Sequence, residues 1–154
     1  MDPNHTTDHL HRAPRADVPH RQLEVLDEDE CRRLLGEAHV GRLGFTHRSL
    51  PVVLPLNILV LGDEIVFRSE AVSILSAAIA GDVACIEVDN HEALEHVGWS
   101  VLATGRLGEI ADPSRLAEVT ALPVPTWRPM ERPHYLALRI EVLTGRRLGL
   151  GALT

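Results

Sequence analysis

The length, composition and charge of the chain exclude several classes of protein. Its 154 residues suit a single domain, and 45% hydrophobic residues are enough to bury a core. A formal charge of −7 argues against non-specific nucleic-acid binding, since counterion release requires a basic surface. No apolar run approaches the roughly 20 residues of a membrane-spanning helix, and the N-terminus lacks the apolar stretch of a secretory signal. We therefore expect a cytoplasmic protein that binds neither nucleic acid nor a membrane.

The first 22 residues predict a disordered or loosely ordered arm, and residues 23–154 predict the folded domain. The first twenty hold four of the nine histidines and three prolines, and they show no hydrophobic periodicity. His5, His9 and His11 lack the cysteine or carboxylate framework of a metal site, so we expect none. A zinc or nickel site on this arm remains an alternative.

The first helix is predicted by its capping residues. Asp27 followed at the third position by Glu30 is the capping-box pattern, with Asp in place of Ser or Thr. Apolar residues then recur at helical spacing, while charged residues occupy the other face. The pattern predicts a short amphipathic helix over residues 28–38.

From Val40 the hydrophobic period changes to two, which is typical of strands. Residues 52–61 form a second β-rich run, in which Pro55 requires an edge position or a bulge because proline cannot donate to a ladder. A tight turn at residues 62–63 joins this run to a third strand over residues 64–69. Three consecutive antiparallel strands are expected.

The second half of the chain adds strands and two short helices. The helices are predicted over residues 71–80 and from Asp112 to about Thr120. Further strands are predicted over residues 83–88, 99–110 and 136–142, with a polar loop over 89–98 and a proline-rich segment over 123–133. About six strands joined mainly by hairpins favour a mainly β fold, an antiparallel barrel with three short helices.

Six short segments occur once each along the chain. Their order and spacing indicate a family more specifically than any single segment does. They are EAHVGRLGF (37–45), LPLN (54–57), GDEIVFRS (62–69), VACIEVD (83–89), GWSVLATG (98–105) and RIEVLTGR (139–146). Together they resemble the flavin-binding split barrels of the pyridoxamine 5'-phosphate oxidase-like family, especially the small actinobacterial-type members. The resemblance implies a six-stranded antiparallel split barrel of the FMN-binding type.

This resemblance also implies a homodimer that binds FMN at its interface and acts on a small-molecule substrate. By family position, the backbone of Pro55, Leu56 and Asn57 would meet the flavin edge. Arg68, Ser69 and Ser73 would hold the phosphate, and an arginine must serve there because the chain has no lysine. The remaining implied cofactor contacts are Phe67 and, from the partner subunit, Trp99 and Ser100.

The chain departs from the family pattern at Ile74, where relatives carry Lys or Arg. Glu70 adds a charge of the same sign as the phosphate. Loss of one desolvated charge-assisted contact costs about 2 kcal/mol, roughly thirtyfold in affinity. The native phosphate site is therefore expected to bind FMN weakly, and Ile74→Lys is expected to recover affinity if only the charge is missing. A deazaflavin or haem remains an alternative to FMN.

Two hypotheses for the function follow. The first is an FMN-dependent oxidoreductase acting on a small unidentified acceptor, with no catalytic side chain assigned because the cofactor carries the electrons. The second is a non-catalytic flavin-, deazaflavin- or haem-binding dimer. Structural roles stay open beside them: Arg68 could pair with Glu64 or Glu87, Ser73 could be an ordinary helix residue, and both tryptophans could serve packing or an interface.

Overall fold

A computed structural model describes residues 21–150, apart from residues 93, 95, 96, 125 and 128. The described residues form eight strands and three helices. In chain order these are β1 (Arg21–Leu26), α1 (Glu28–Glu37), β2 (Val40–His47), β3 (Leu50–Asn57), β4 (Leu59–Leu61), β5 (Glu64–Ser69), α2 (Val72–Ala80), β6 (Val83–Glu92), β7 (Val97–Glu109), α3 (Pro113–Thr120) and β8 (His134–Leu150).

All eight strands belong to one antiparallel sheet that rolls into a split barrel. The strand order is β3-β2-β6-β7-β8-β5-β4, and β1 pairs with β8 beside this path. Only Ile58 separates β3 from β4, yet the two strands lie at opposite ends of the order. This is possible only because the sheet curls until its two ends approach each other. The mainly β class and the barrel predicted from the sequence are confirmed.

The helices begin where the capping residues predicted. The amide of Glu30 donates to the Asp27 carboxylate over 2.8 Å, and Asp112 caps α3 in the same way. Helix α2 ends at Gly81, whose φ of 68° lies in the left-handed region that favours glycine. Pro55 lies in β3, which pairs only with β2 among the described strands, so the expected edge position is confirmed.

Several strand boundaries differ from the sequence prediction, and eight strands replace the predicted six. Arg21 and Gln22, assigned to the arm, begin β1 by pairing with the end of β8. The single run over 52–61 is divided between β3 and β4, and most of the predicted loop 89–98 extends the β6–β7 hairpin. Backbone hydrogen bonds form these ladders whatever the side chains are, so hydrophobic periodicity could not reveal them. Residues 1–20 lie outside the described residues, and their disorder stays a prediction.

The barrel interior holds the main core, and a smaller core lies outside β5. Leu43, Phe67 and Ile86 are among the fully buried side chains of the interior. On the other face of β5, Val66 packs with Val119 of α3 and Val124 beyond it. Strand β5 is therefore buried on both faces, because α3 and the segment that follows it cover the outside of the barrel.

Gly105 marks a bulge in β7 at which the register with β8 shifts. A Cβ atom built on Gly105 would lie 1.7 Å from the carbonyl oxygen of Arg139, which is backbone and cannot rotate away. Gly36, in the last turn of α1, has no atom within 4 Å of the same position. An added methyl group is therefore expected to lower the free energy of unfolding at Gly105 and to raise it at Gly36.

We predict that Gly105→Ala lowers the free energy of unfolding by about 3 kcal/mol, because the strands must separate locally. Gly36→Ala should raise it by up to about 1 kcal/mol, through the higher helix propensity of alanine. Urea unfolding of the two variants measures both effects. An unchanged stability of Gly105→Ala would contradict the close contact between β7 and β8.

Charged contacts tie α1 to β8. The Glu30 carboxylate accepts from Arg33 at 2.8 Å and from Arg147 at 2.5 Å. These hydrogen bonds, led by that of Arg33, lower the pKa of Glu30 from 4.5 to about 2. A lowered folded-state pKa means that the unfolded chain binds more protons between these values, so the stabilisation is complete above pH 4.5 and is lost as the pH falls towards 2.

We therefore predict that Glu30→Gln is less stable than the native protein at neutral pH, and that this difference shrinks as the pH falls from 4.5 towards 2. Glu24→Gln is the matched control, because the Glu24 side chain is 61% exposed and meets Arg147 only at 3.6 Å. Urea unfolding at several pH values checks the prediction. A stability difference that does not depend on pH would show that the Glu30 contacts do not act through its charge.

Candidate functional site

A cavity of about 440 Å³ opens where β3 and β5 end and α2 begins, and the segment between α3 and β8 covers it. We call the described residues of 121–133, which leave out 125 and 128, the covering segment. The cavity is lined by Leu54, Pro55, Leu56, Asn57, Arg68, Ser69, Ala71, Ile74, Thr126, Trp127 and Met130. Its size lies in the range of small-molecule sites.

Among the residues that the structure describes, Arg68 is the only charged side chain in this lining. Its Nη2 atom donates to the Val124 carbonyl oxygen at 2.6 Å, and the Thr126 hydroxyl lies 3.5 Å away. Its guanidinium carbon lies 5.9 Å from the centre of the Tyr135 ring. Its Nε atom is buried and has no hydrogen-bond partner. A buried donor without an acceptor is uncommon in folded proteins.

No carboxylate among the described residues forms an ion pair with Arg68. The expected alternative partners are engaged elsewhere: Glu64 binds Arg115 at 2.7 Å, and Glu87 binds Arg42 at 2.9 Å. The alternative pairing of Arg68 with either residue is therefore wrong. Strand register explains this, because Arg68 stands opposite Tyr135 on β8, beside the cavity.

The N-terminus of α2 lies beside Arg68. Unlike α1 and α3, which aspartate side chains cap, α2 has Ala71 at its N-cap position and no side-chain cap. The amide of Ala71 instead donates to the nearly buried Ser69 hydroxyl at 3.0 Å. Uncapped amides at a helix N-terminus carry partial positive charge. Arg68 and this helix end together make one end of the cavity suitable for an anion.

Side chains fasten the covering segment to three parts of the cavity wall. The Trp127 indole donates through Nε1 to the Asn57 amide oxygen at 2.8 Å. Arg68 holds the Val124 carbonyl, and the Glu70 carboxylate accepts the Arg132 amide at 2.9 Å. The carboxylate that sequence analysis expected to oppose a phosphate thus binds the backbone of the covering segment.

The structure brings together six of the predicted site residues. Pro55, Leu56, Asn57, Arg68, Ser69 and Ile74 all line the cavity. Phe67 lies fully buried in the main core, and Ser73 stands in the first turn of α2 outside the lining. Trp99 and Ser100 line another cleft of about 420 Å³ with Asp89 and Arg146. Their contribution from a partner subunit stays a prediction.

Ile74 is only 3% exposed and packs in the main core while its side chain also borders the cavity. A lysine at this position would have to leave the core to reach the cavity. Ile74→Lys would therefore change packing as well as charge, so Arg68 offers the cleaner test of the anion site.

Sequence analysis assigned no ligand contact to four of the lining residues. They are Leu54, Thr126, Trp127 and Met130. Three of them belong to the covering segment, whose prolines and lack of periodicity gave no basis for placing it against a particular strand. Trp127 was interpreted only as a packing or interface residue. A large aromatic residue inside such a segment was the one available signal.

The other titratable groups give no comparable centre. A second groove of about 430 Å³ carries charges of both signs, and Arg115 within it binds both Glu64 and Glu118 at 2.7 Å. In the part of the chain that the structure describes, no three His, Cys, Asp or Glu residues lie where they could hold a metal ion. The histidines proposed as an alternative metal site lie outside the described residues. No described helix is long and apolar enough to cross a membrane.

Comparison with known families identifies the fold and its sequence pattern. The sequence model of the family described as pyridoxamine 5'-phosphate oxidase matches residues 27–147. The chain belongs to this family. The match runs from the cap of α1 to Arg147 in β8 and includes all the described residues that line the cavity.

Individual relatives agree with this assignment. The uncharacterized protein Rv0080 of Mycobacterium tuberculosis is 35% identical over 133 residues, which cover 83% of this chain and 87% of the relative. A solved FAD-binding protein from Mycobacterium smegmatis is 29% identical with a TM-score of 0.68, covering 80% of this chain and 98% of its own. A solved FAD-binding protein from Mesorhizobium loti is 22% identical with a TM-score of 0.68. The match covers 84% of this chain and 99% of that protein, and it supports the assignment of the fold.

Proposed function

We propose that this family member binds a flavin in the cavity and acts as a flavin-dependent oxidoreductase on a small acceptor. The observation that carries the proposal is Arg68, a cation in the cavity lining that has no carboxylate partner among the described residues and meets a carbonyl, a hydroxyl and an aromatic ring instead. A flavin nucleotide combines an anionic phosphate with a flat ring. This combination suits a cavity that has one cationic end and otherwise mainly apolar walls.

Arg68, Ser69 and the N-terminus of α2 would hold the phosphate. Guanidinium groups bind phosphate through paired hydrogen bonds, and helix amides add donors that require no side-chain ordering. The Ser69 hydroxyl accepts from Ala71, which leaves its own proton available to a ligand oxygen. These donors offset the absence of a cation at Ile74.

The edge of β3 would meet the ring. Among the described strands, β3 pairs only with β2, so backbone groups along its other edge have no ladder partner. Successive residues of a strand point their backbone groups to opposite edges, so Pro55 and Asn57 share one edge, where Pro55 can offer only its carbonyl. A bound flavin would supply the electron-transfer chemistry, and the protein would supply binding, orientation and exclusion of water.

FMN is the flavin that we propose, and FAD is the second candidate. The M. smegmatis relative, 29% identical, is named as an FAD-binding protein. Both nucleotides present the same ring and a phosphate at the same distance from it, so the Arg68 site suits either. A deazaflavin, haem or a non-catalytic binding role are the competing outcomes of the experiment below, and the cytoplasmic location stays a prediction.

The experiment is a visible spectrum of the purified full-length chain before and after addition of FMN, FAD, a deazaflavin and haem. Co-purified or added FMN should give a flavin absorption band that remains through gel filtration. Photoreduction of this complex followed by addition of small acceptors then tests electron transfer. A protein that leaves FMN and FAD free would overturn the proposal, and a stable complex that reduces no acceptor would favour the non-catalytic alternative.

We predict that Arg68→Met weakens FMN binding by roughly tenfold to a hundredfold, because charge-assisted hydrogen bonds to the phosphate are lost. Riboflavin, which has the ring without the phosphate, should lose less than about threefold. Isothermal titration of both ligands measures the difference. Arg33→Met is the control, since Arg33 is an exposed arginine of α1 that pairs with Glu30 and Glu37. An equal loss for both ligands would show that Arg68 supports the cavity without binding the phosphate.

We further propose that two copies of the chain form the complete site. Strand register places an uncharged row of side chains across the outside of five strands: Val53, Gly44, Cys85, Thr104 and Val142. Val53 and Val142 are 65% and 56% exposed. In the adjacent row the charges of Arg42 and Glu87 pair with each other. We call these two rows the outer face.

A second copy is the occupant that the outer face suits. The two charges of the face are already paired, and a symmetric contact needs one such self-complementary surface. Pro55 belongs to the outer face and also lines the cavity. A subunit seated on the face would therefore border the cavity, in keeping with the predicted roles of Trp99 and Ser100 across the interface.

We predict that the native protein sediments as a dimer and that Val142→Arg sediments as a monomer, because an unpaired charge would be buried at the contact. Leu94→Arg is the control, since Leu94 is 90% exposed and lies outside the outer face. Analytical ultracentrifugation gives the mass, and circular dichroism checks folding. A monomeric native protein, or a dimer that tolerates Val142→Arg, would contradict this interface.

A further inference from the structure

We infer that Trp127 forms the wall that contacts the flat ring of the ligand, and that Asn57 positions its indole. This inference rests on the proposed flavin-binding function and specifies how the same cavity selects a ring. The Trp127 side chain had no binding role in the sequence analysis, which assigned ring contacts to the β3 backbone and to the partner subunit.

The first observation is the combination of exposure and anchoring at Trp127. The residue is 64% exposed and belongs to neither hydrophobic core, although it lines the cavity. Its indole N–H is nevertheless bonded to the Asn57 amide oxygen at 2.8 Å. A large aromatic surface that is held in place without being buried is available to a ligand, and aromatic rings favour stacking against other flat rings.

The second observation is the connection between Trp127 and the anion end of the cavity. The residue before it, Thr126, lies 3.5 Å from the Arg68 guanidinium through its hydroxyl. Arg68 also holds the Val124 carbonyl at 2.6 Å. The side chain proposed to bind the phosphate therefore contacts two residues that lie close to Trp127 in the chain.

The distribution of polarity in the cavity indicates which part of a ligand reaches Trp127. Leu54, Leu56, Ile74 and Met130 make its walls largely apolar, whereas the cation and helix N-terminus lie together at Arg68 and Ala71. A ligand with an anion at Arg68 would place a flat apolar body among these walls. Trp127 thus selects ligands that carry a ring over inorganic phosphate.

The test compares full-length native protein with Trp127→Ala, Trp127→Phe and Ile79→Ala, titrated with FMN and riboflavin. Trp127→Ala should weaken both ligands by about tenfold, because the stacked surface is lost whether or not a phosphate is present. Trp127→Phe should recover most of this affinity, but indole quenching of the flavin fluorescence should be lost. Ile79→Ala is the control, since Ile79 is 70% exposed and does not line the cavity.

The role of Asn57 is tested by a double-mutant cycle. Asn57→Ala should weaken riboflavin binding in the native background, because the indole loses its anchor, but should have no further effect in Trp127→Phe. Additive losses in the cycle would overturn the positioning role. Thermal unfolding monitors the fold, and the exposed position of Trp127 predicts little change.

The outcomes separate this inference from the function on which it rests. If Trp127→Ala binds flavin as tightly as the native protein does, the inference about Trp127 is overturned and the proposed flavin site is not. A native protein that binds neither FMN nor riboflavin overturns the proposed function, and the inference with it. If Trp127→Ala weakens the binding of FMN but not that of riboflavin, Trp127 acts through Arg68 and the phosphate. This result would also overturn the proposed contact between Trp127 and the ring.

Discussion

The pairing of β5 with β8 determines how the rest of the molecule is arranged around the cavity. Strand β8 is seventeen residues long and pairs with β1, β5 and β7. Its register sets Arg68 opposite Tyr135 and sends Phe67 into the barrel. A shift of one residue would exchange these faces, placing a guanidinium in the core and a phenyl ring in the cavity. The chemistry of the site therefore depends on a backbone ladder.

Arg68 differs from several other arginines of the chain in the partners that it contacts. Arg32, Arg33, Arg42, Arg115 and Arg147 all meet carboxylates within 3 Å, some within one helix and others between elements. Arg68 instead meets a carbonyl, a hydroxyl and an aromatic ring. A partly buried cation with only neutral partners retains more of its attraction for an anion than one already neutralised by a carboxylate.

The covering segment connects the anion end of the cavity with its ring-binding wall. Three hydrogen bonds hold it to the barrel, and they involve Arg68 of β5, Asn57 of β3 and Glu70 between β5 and α2. Val124 adds an apolar anchor in the smaller core beneath α3. These contacts hold an otherwise irregular segment against the barrel. The proposed interface on the outer face would bring a second subunit to the margin of the same cavity.

Local chemistry in the sequence was sufficient for the helices, the β class and part of the site. Aspartate caps, the glycine after α2 and alternating residues in β5 act over a few positions, so they predicted those elements correctly. The order of short motifs also indicated the family and placed six lining residues. These features are readable because hydrogen bonds within a turn or helix end involve residues close in the chain.

Tertiary structure alone decided the contacts between distant residues. The pairing of β1 with β8, the partner of Arg68 and the place of Trp127 against Asn57 join residues separated by tens of positions. Ile74 likewise resembled a lost phosphate ligand in sequence, whereas packing makes it part of the core. Sequence patterns define which side chains are available. Only the curling of the sheet determines which of them meet, since that geometry depends on the register of every strand at once.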